Sequence, residues 1–181
     1  MKKKILTLCL AAIMCVSFTA CGGGETNTTH SSVDVPEEAP KSEYYFKDGV
    51  MQAEDVRIEI TDYKIVPNGA EGNTFSGKDE IVFYYDITNV SGKESVSIIS
   101  WMNFLEAYQD NDPNVVNKLD MGSYFDENVQ PDATENIKKG GTVSAYTSYE
   151  LDDNTTPVVL RATRGIGGED LGEQVFDLVS E

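Results

Sequence analysis

The stretch Glu80-Ile81-Val82-Phe83-Tyr84-Tyr85-Asp86-Ile87-Thr88-Asn89 decides the fold. Ile81, Phe83, Tyr85 and Ile87 recur at every second position, and Val82, Tyr84, Asp86 and Thr88 fill the alternate set. A period of two predicts a strand, and the mixed second set predicts a half-exposed face on a sheet covered from one side. Asn89-Val90-Ser91-Gly92-Lys93 then stops the strand with turn chemistry.

Working upstream, Pro67-Asn68-Gly69-Ala70-Glu71-Gly72-Asn73 reads as a loop, with Phe75 leading into the strand. Before it, Val56, Ile58 and Ile60 share one parity while Tyr63 and Ile65 take the other. A strand whose apolar parity changes must insert one residue, so a bulge is expected near Thr61-Asp62. Tyr44-Tyr45-Phe46 with Lys47-Asp48-Gly49 predicts a short strand and turn.

Downstream, Val96, Ile98 and Ile99 precede residues 101–109, whose two fairly apolar faces predict a central strand carrying Trp101 in the core. Residues 115–131 lack a period and are expected to form an irregular loop with one helical turn, and Asp132-Ala133-Thr134-Glu135 a short capped turn. Val143, Ala145, Thr147, Tyr149 and Leu151 alternate with Thr142, Ser144, Tyr146, Ser148 and Glu150, a second clean strand. Further strands are expected at 157–162, with Pro157 at its edge, and around 175–179. About seven to nine short strands joined by turns, with no sustained helical period, predict an all-β, immunoglobulin-like antiparallel β-sandwich.

The N-terminus addresses location. Met1-Lys2-Lys3-Lys4 is basic and residues 5–16 are apolar, too few to span a bilayer but suited to the core of a secretory signal. The run ends in Ser17-Phe18-Thr19-Ala20-Cys21 followed by three glycines, which resembles the lipobox of bacterial lipoproteins. That resemblance implies a signal peptide over 1–20 and a lipid thioether on Cys21, with Phe18 standing where an aliphatic residue is usual; the alternative is an ordinary signal peptide cut after Ala20. Residues 21–43, rich in Gly, Thr, Ser, Pro and Glu, form the lipidated cysteine and a disordered tether. About twenty such residues span on the order of 25 Å. The domain therefore runs over 44–181, held at the outer face of the cytoplasmic membrane.

Composition excludes several chemistries. Cys9 and Cys15 lie in the signal, so Cys21 is the one cysteine of the mature chain, and His30 of the tether is the single histidine. Disulfides, Ser-His or Cys-His catalysis and histidine-bound zinc are thus not expected in the domain, and no cofactor is implied. The chain carries 14 basic and 31 acidic residues; without Lys2, Lys3 and Lys4 the balance is 11 against 31, a formal −20. Such a surface repels nucleic acid and anionic lipid and admits cations or basic partners, although acidity also keeps an exported domain soluble.

The set Phe46 to Gly49 (F-x-D-G), Asp55 to Lys64 (D-V-R-I-E-I-x-x-Y-K), Ile81 to Asn89, Tyr108 to Asn111 (Y-Q-D-N), Ile137 to Val143 (I-K-K-G-G-T-V) and Tyr149 to Leu151 (Y-E-L) resembles a family of Gram-positive surface lipoproteins of unknown function. The resemblance implies one immunoglobulin-like domain behind a lipobox and supplies no catalytic residue.

Three constellations bear on function. Asp110, Asp112 and Asn114 have the spacing that opens an EF-hand loop, but Val115 replaces its glycine and Met121 its bidentate Glu, so a polar turn is the better reading than a metal site. Arg164-Gly165-Ile166-Gly167-Gly168-Glu169-Asp170 has the glycines of a phosphate cradle without its lysine, and reads as a turn. Tyr84, Tyr146 and Tyr44 lie on the more polar faces of their strands and form a candidate interaction surface for a protein, peptide or glycan, the alternative being rings packed under a loop. A non-catalytic binding module is expected, against a carboxylate-based envelope hydrolase or a cation-binding surface domain.

Overall fold

The computed structural model describes residues 43–129 and 135–178. The signal, Cys21, His30, the tether up to residue 42 and most of the turn expected at 132–135 lie outside the described residues. Within them, nine strands form two antiparallel sheets. They are β1 (Tyr45–Lys47), β2 (Val50–Gln52), β3 (Val56–Val66), β4 (Glu80–Asn89), β5 (Leu105–Gln109), β6 (Asn117–Lys118), β7 (Thr142–Glu150), β8 (Val158–Thr163) and β9 (Asp170–Phe176). The first sheet has the order β1-β2-β3-β4-β7 and the second β6-β5-β8-β9.

The parity of β4 holds along its inner face: Ile81, Phe83, Tyr85 and Ile87 are buried, facing Leu105, Ala107, Val158, Leu160, Ala162 and Phe176 of the other sheet in one core. Tyr149, Leu151 and Leu160 join them, with Val143 partly buried at the margin. Phe83 sits at the centre, its ring 4.9 Å from Phe176 edge-on and 6.0 Å from Trp101. Two apolar sheet faces packed in this way make a β-sandwich.

The bulge falls where the parity change puts it. Ile60 pairs with Tyr85 and Asp62 with Tyr84, so Thr61 is the inserted residue. Before it Ile58 faces inward; after it Tyr63 and Ile65 do, and Lys64, opposite Val82, is turned onto the outer face. Without that residue Lys64 would point at the core.

Four expectations are corrected. Residues 101–104 are not strand: a 3-10 turn, Ile98–Ser100, runs into a helical turn, α1 (Trp101–Phe104), before β5. Ile98, Trp101 and Phe104 are three apart and all face the core, whereas Met102 is half exposed, so the local period is helical. The last strand starts at Asp170, not near 175, because β9 is a polar edge strand in which Phe176 is buried and Val175 faces solvent. Between 115 and 129 the irregular loop is interrupted by the short strand β6, which was not expected, and its turn is a hydrogen-bonded one in which the Val129 amide donates to the Asp126 carbonyl at 3.3 Å. Finally, the outer face of β4 is not half-exposed throughout: Glu80 and Val82 are fully buried.

The last correction has a specific cause. Leu119 is pinned to the second sheet by its amide, 2.9 Å from the Ala107 carbonyl, and Met121 bridges to Tyr149 at the β7 edge. The chain then passes onto the outer face of the first sheet, where the Phe125 amide donates to the Gly72 carbonyl at 3.0 Å. Residues 119–125 thus strap the edge of the sandwich and cover one end of the β4 face.

Candidate functional site

The strap is fastened by Glu80, a buried carboxyl at the start of β4. Its Oε1 accepts from the Ser123 amide at 2.9 Å and from the Ser123 hydroxyl at 3.2 Å, and its Oε2 accepts from the Tyr124 amide at 3.0 Å. One side chain thus holds two consecutive backbone amides of the strap, the Tyr124 amide also lying 3.3 Å from the Ser148 hydroxyl. Gly122 makes room for it, since a Cβ there would stand 2.1 Å from Oε2 and 2.4 Å from the Ser148 hydroxyl.

The fastening delivers Tyr124 to the outer face of β4 and β7, where Tyr84 and Tyr146 are paired across the ladder. The Tyr84 and Tyr146 centroids are 6.1 Å apart, and Tyr124 meets Tyr146 edge-on at 5.5 Å. Gly72 floors the Tyr124 ring: it has a φ of +86°, and a Cβ there would lie 2.4 Å from the ring. Lys64, placed outward by the bulge, donates to the Tyr124 hydroxyl at 2.8 Å, with its ammonium 5.2 Å from the Tyr84 centroid and 4.9 Å from that of Tyr124.

Asp126 completes the cluster. The Tyr84 hydroxyl donates to its Oδ2 at 2.8 Å, and the Asp126 amide donates to the Tyr146 hydroxyl at 3.1 Å. The Asn128 amide, the Tyr84 hydroxyl and the nearby Lys64 charge hold the Asp126 carboxyl below its ordinary range. Partial burial, with Tyr124 and Asp126 alongside, pushes the Tyr84 phenol well up. Beside the rings opens a groove of about 360 Å³ lined by Lys64, Glu71, Gly72 and residues 124–128. Phe125 on its wall is 57% exposed. The arrangement offers aromatic faces, phenolic hydroxyls and carboxylates to a ligand arriving from solvent.

Of the three tyrosines singled out by parity, the structure brings two together. Tyr44 is elsewhere, its ring 4.2 Å from the Arg164 guanidinium beside the turn between β8 and β9. Tyr124, Lys64 and Asp126 were missed by sequence reasoning; the parity change that exposes Lys64 was the one signal available for any of them. The Asp110, Asp112, Asn114 loop uses its acid internally: Asp112 Oδ1 accepts the Asn114 amide at 2.7 Å and the Val115 amide at 3.2 Å. Those backbone donors, Asn114 first, hold the Asp112 carboxyl low. Among the described residues no cluster of three or more acidic, His or Cys side chains is disposed to hold a metal, and no helix is long and apolar enough to cross a membrane.

Comparison with known proteins adds a family and a fold. Residues 31–164 match the family model described as "Domain of unknown function (DUF5067)". A solved structure from Staphylococcus aureus subsp. aureus NCTC 8325, described as that of a "putative lipoprotein", superposes with a TM-score of 0.59 at 22% identity, over 73% of this chain and 90% of that one. No curated protein matches.

Proposed function

This chain belongs to the DUF5067 family, and on that premise we propose that it is a lipid-anchored, extracytoplasmic lipoprotein whose immunoglobulin-like sandwich is a non-catalytic binding module acting through the groove beside Tyr84, Tyr124 and Tyr146. The observation that carries the binding role is the strap: a buried carboxyl and two tight glycines hold a tyrosine on a solvent-facing sheet surface. Rigid support beneath exposed polar and aromatic groups is what a preorganised recognition site requires. The anchor rests on Cys21 and the residues before it, and the lipoprotein description of the Staphylococcus aureus structure agrees with it. A carboxylate hydrolase would need an acid held up towards neutrality, whereas Asp126 at the centre of the groove is held low.

Two positions of equal exposure test the binding role. Phe125 in the groove and Val175 on β9 are each 57% exposed, so a photo-crosslinking residue at either one samples solvent equally. In intact cells, adducts are expected at 125 and not at 175; adducts at neither, or equally at both, would contradict the groove as the working surface. The anchor is tested separately by Cys21→Ala, which is expected to release the protein from the membrane fraction; equal partitioning of the two forms would refute lipidation.

A further inference from the structure

We propose that the groove is a site for an organic ammonium group and that Lys64 occupies it in the unliganded protein. The inference rests on the reading of the groove as a ligand site and names the chemistry of that ligand.

Lys64 meets two aromatic side chains. Its ammonium stands within cation–π range of two rings, 5.2 Å from Tyr84 and 4.9 Å from Tyr124, and donates to the Tyr124 hydroxyl. Lys78, Lys93 and Lys118 each reach a carboxylate within 4.0 Å; among the described residues Lys64 forms no such pair, nor do Lys138 and Lys139, but of these Lys64 is the one whose ammonium lies over ring faces. In a chain this acidic, a lysine that settles on tyrosine faces instead of a carboxylate marks those faces as a place where an ammonium is stable. The negative charge behind them is already fixed, since the Asp126 carboxylate accepts from the Tyr84 hydroxyl and from the backbone and side-chain amides of Asn128.

The site is also open to exchange. Lys64 rises from the outer face of β3 and is itself exposed, so its side chain can swing into solvent without disturbing the core. Glu71, Asp126 and Glu127 line the groove against the single basic side chain of Lys64. Once Lys64 leaves, the Tyr84 and Tyr124 faces with Asp126 beside them are open to another cation, and the net negative field of the chain draws cations towards the groove. A lysine side chain of a basic peptide and a small quaternary amine share this chemistry.

Isothermal titration calorimetry of the full-length chain in detergent, at constant ionic strength, separates the outcomes. The probes are N-acetyl-trilysine amide and choline. Lys64→Ala vacates the rings and is expected to tighten binding on the order of tenfold, because two modest cation–π contacts no longer compete. Lys118→Ala, which removes the same charge far from the groove, is expected to change affinity less than about twofold by screening of distant charges. Tyr124→Leu in the Lys64→Ala background is expected to abolish the gain; Asp126→Asn, which preserves shape, is expected to weaken binding even if Tyr124→Leu fails to fold. Binding of the peptide alone assigns a peptide source, and binding of choline as well assigns a small ammonium. Equal effects of Lys64→Ala and Lys118→Ala would show bulk charge attraction and overturn the proposal, as would no binding of either probe to any variant. Crosslinked adducts at position 125 without amine binding would leave the groove reading standing and remove this one.

Discussion

Two tyrosine-rich clusters share one strand and differ in almost every respect. On the inner face of β4, Phe83 and Tyr85 meet Trp101, Tyr149 and Phe176, with Trp101 stacked 4.3 Å from Tyr85 and its indole N–H donating to the Tyr149 hydroxyl at 2.7 Å. All these side chains are buried, and each polar tip finds a neutral partner. On the outer face, Tyr84 meets Tyr146 and Tyr124 beside a lysine and an aspartate, and a groove remains open. The difference teaches that alternation assigns a tyrosine to a face, while the charges beside its hydroxyl and the space left open distinguish the packed inner set from the outer set for which recognition is proposed. A buried neutral pair stabilises the fold; a ring set with fixed charges at its rim, beside an open groove, is the ground on which recognition is proposed.

The largest effect should come from breaking the inner cluster. Phe83→Ala removes the ring at the centre of the core and is expected to lower stability by about 3–5 kcal/mol in chemical denaturation, while leaving the outer cluster's partners in place.

Alkali should act on the inner cluster next. Burial pushes the Tyr85 phenol up to about 12, and the unfolded chain releases that proton near pH 10. The native state therefore holds more protons between those values, so stability present below pH 10 is lost as pH rises towards 12, by roughly 2–3 kcal/mol. Tyrosinate absorbance and circular dichroism should change together if Tyr85 must unfold to ionise; a phenolate signal from a folded chain at pH 11 that includes Tyr85 would contradict its burial.

Cutting the fastening of the outer cluster should have a smaller effect. Glu80→Gln leaves one acceptor and sets an amide N–H₂ against backbone donors, and is expected to cost about 1–3 kcal/mol. Its specific signature is loss of amide exchange protection at Ser123 and Tyr124 while the inner strands stay protected. The smallest effect is expected from Tyr84→Phe, which keeps the ring and removes the bond to Asp126. It should change stability by less than about 1 kcal/mol, as for a partly solvated hydrogen bond, and thermal denaturation would show it.

Much of the inner cluster was legible in sequence and much of the outer one was not. Alternation placed Ile81, Phe83, Tyr85 and Ile87 correctly, because a covered sheet face imposes a period of two. The parity change between Ile60 and Tyr63 located the bulge for the same reason. Where burial follows another period, the reading failed: Ile98, Trp101 and Phe104 face the core at helical spacing within too few residues to reveal it. The polar edge strand β9 carried too little apolar signal before Val175 to mark its start. The strap was beyond reach, because it depends on one glutamate binding amides 43 and 44 residues away, and nothing local in Glu80 or in residues 119–125 announces that meeting. Tyr84 and Tyr146 were found by face; Tyr124 could be found only through the strap that brings it there.

The most direct test of the contrast is a 19F spectrum of the full-length chain labelled with 3-fluorotyrosine, assigned by single Tyr→Phe variants and titrated with N-acetyl-trilysine amide. The resonances of Tyr84, Tyr124 and Tyr146 are expected to move together with one binding isotherm while those of Tyr85 and Tyr149 stay in place. Shifts spread equally over inner and outer tyrosines, or confined to Tyr44 and Tyr45, would contradict the assignment of the outer cluster as the recognition surface.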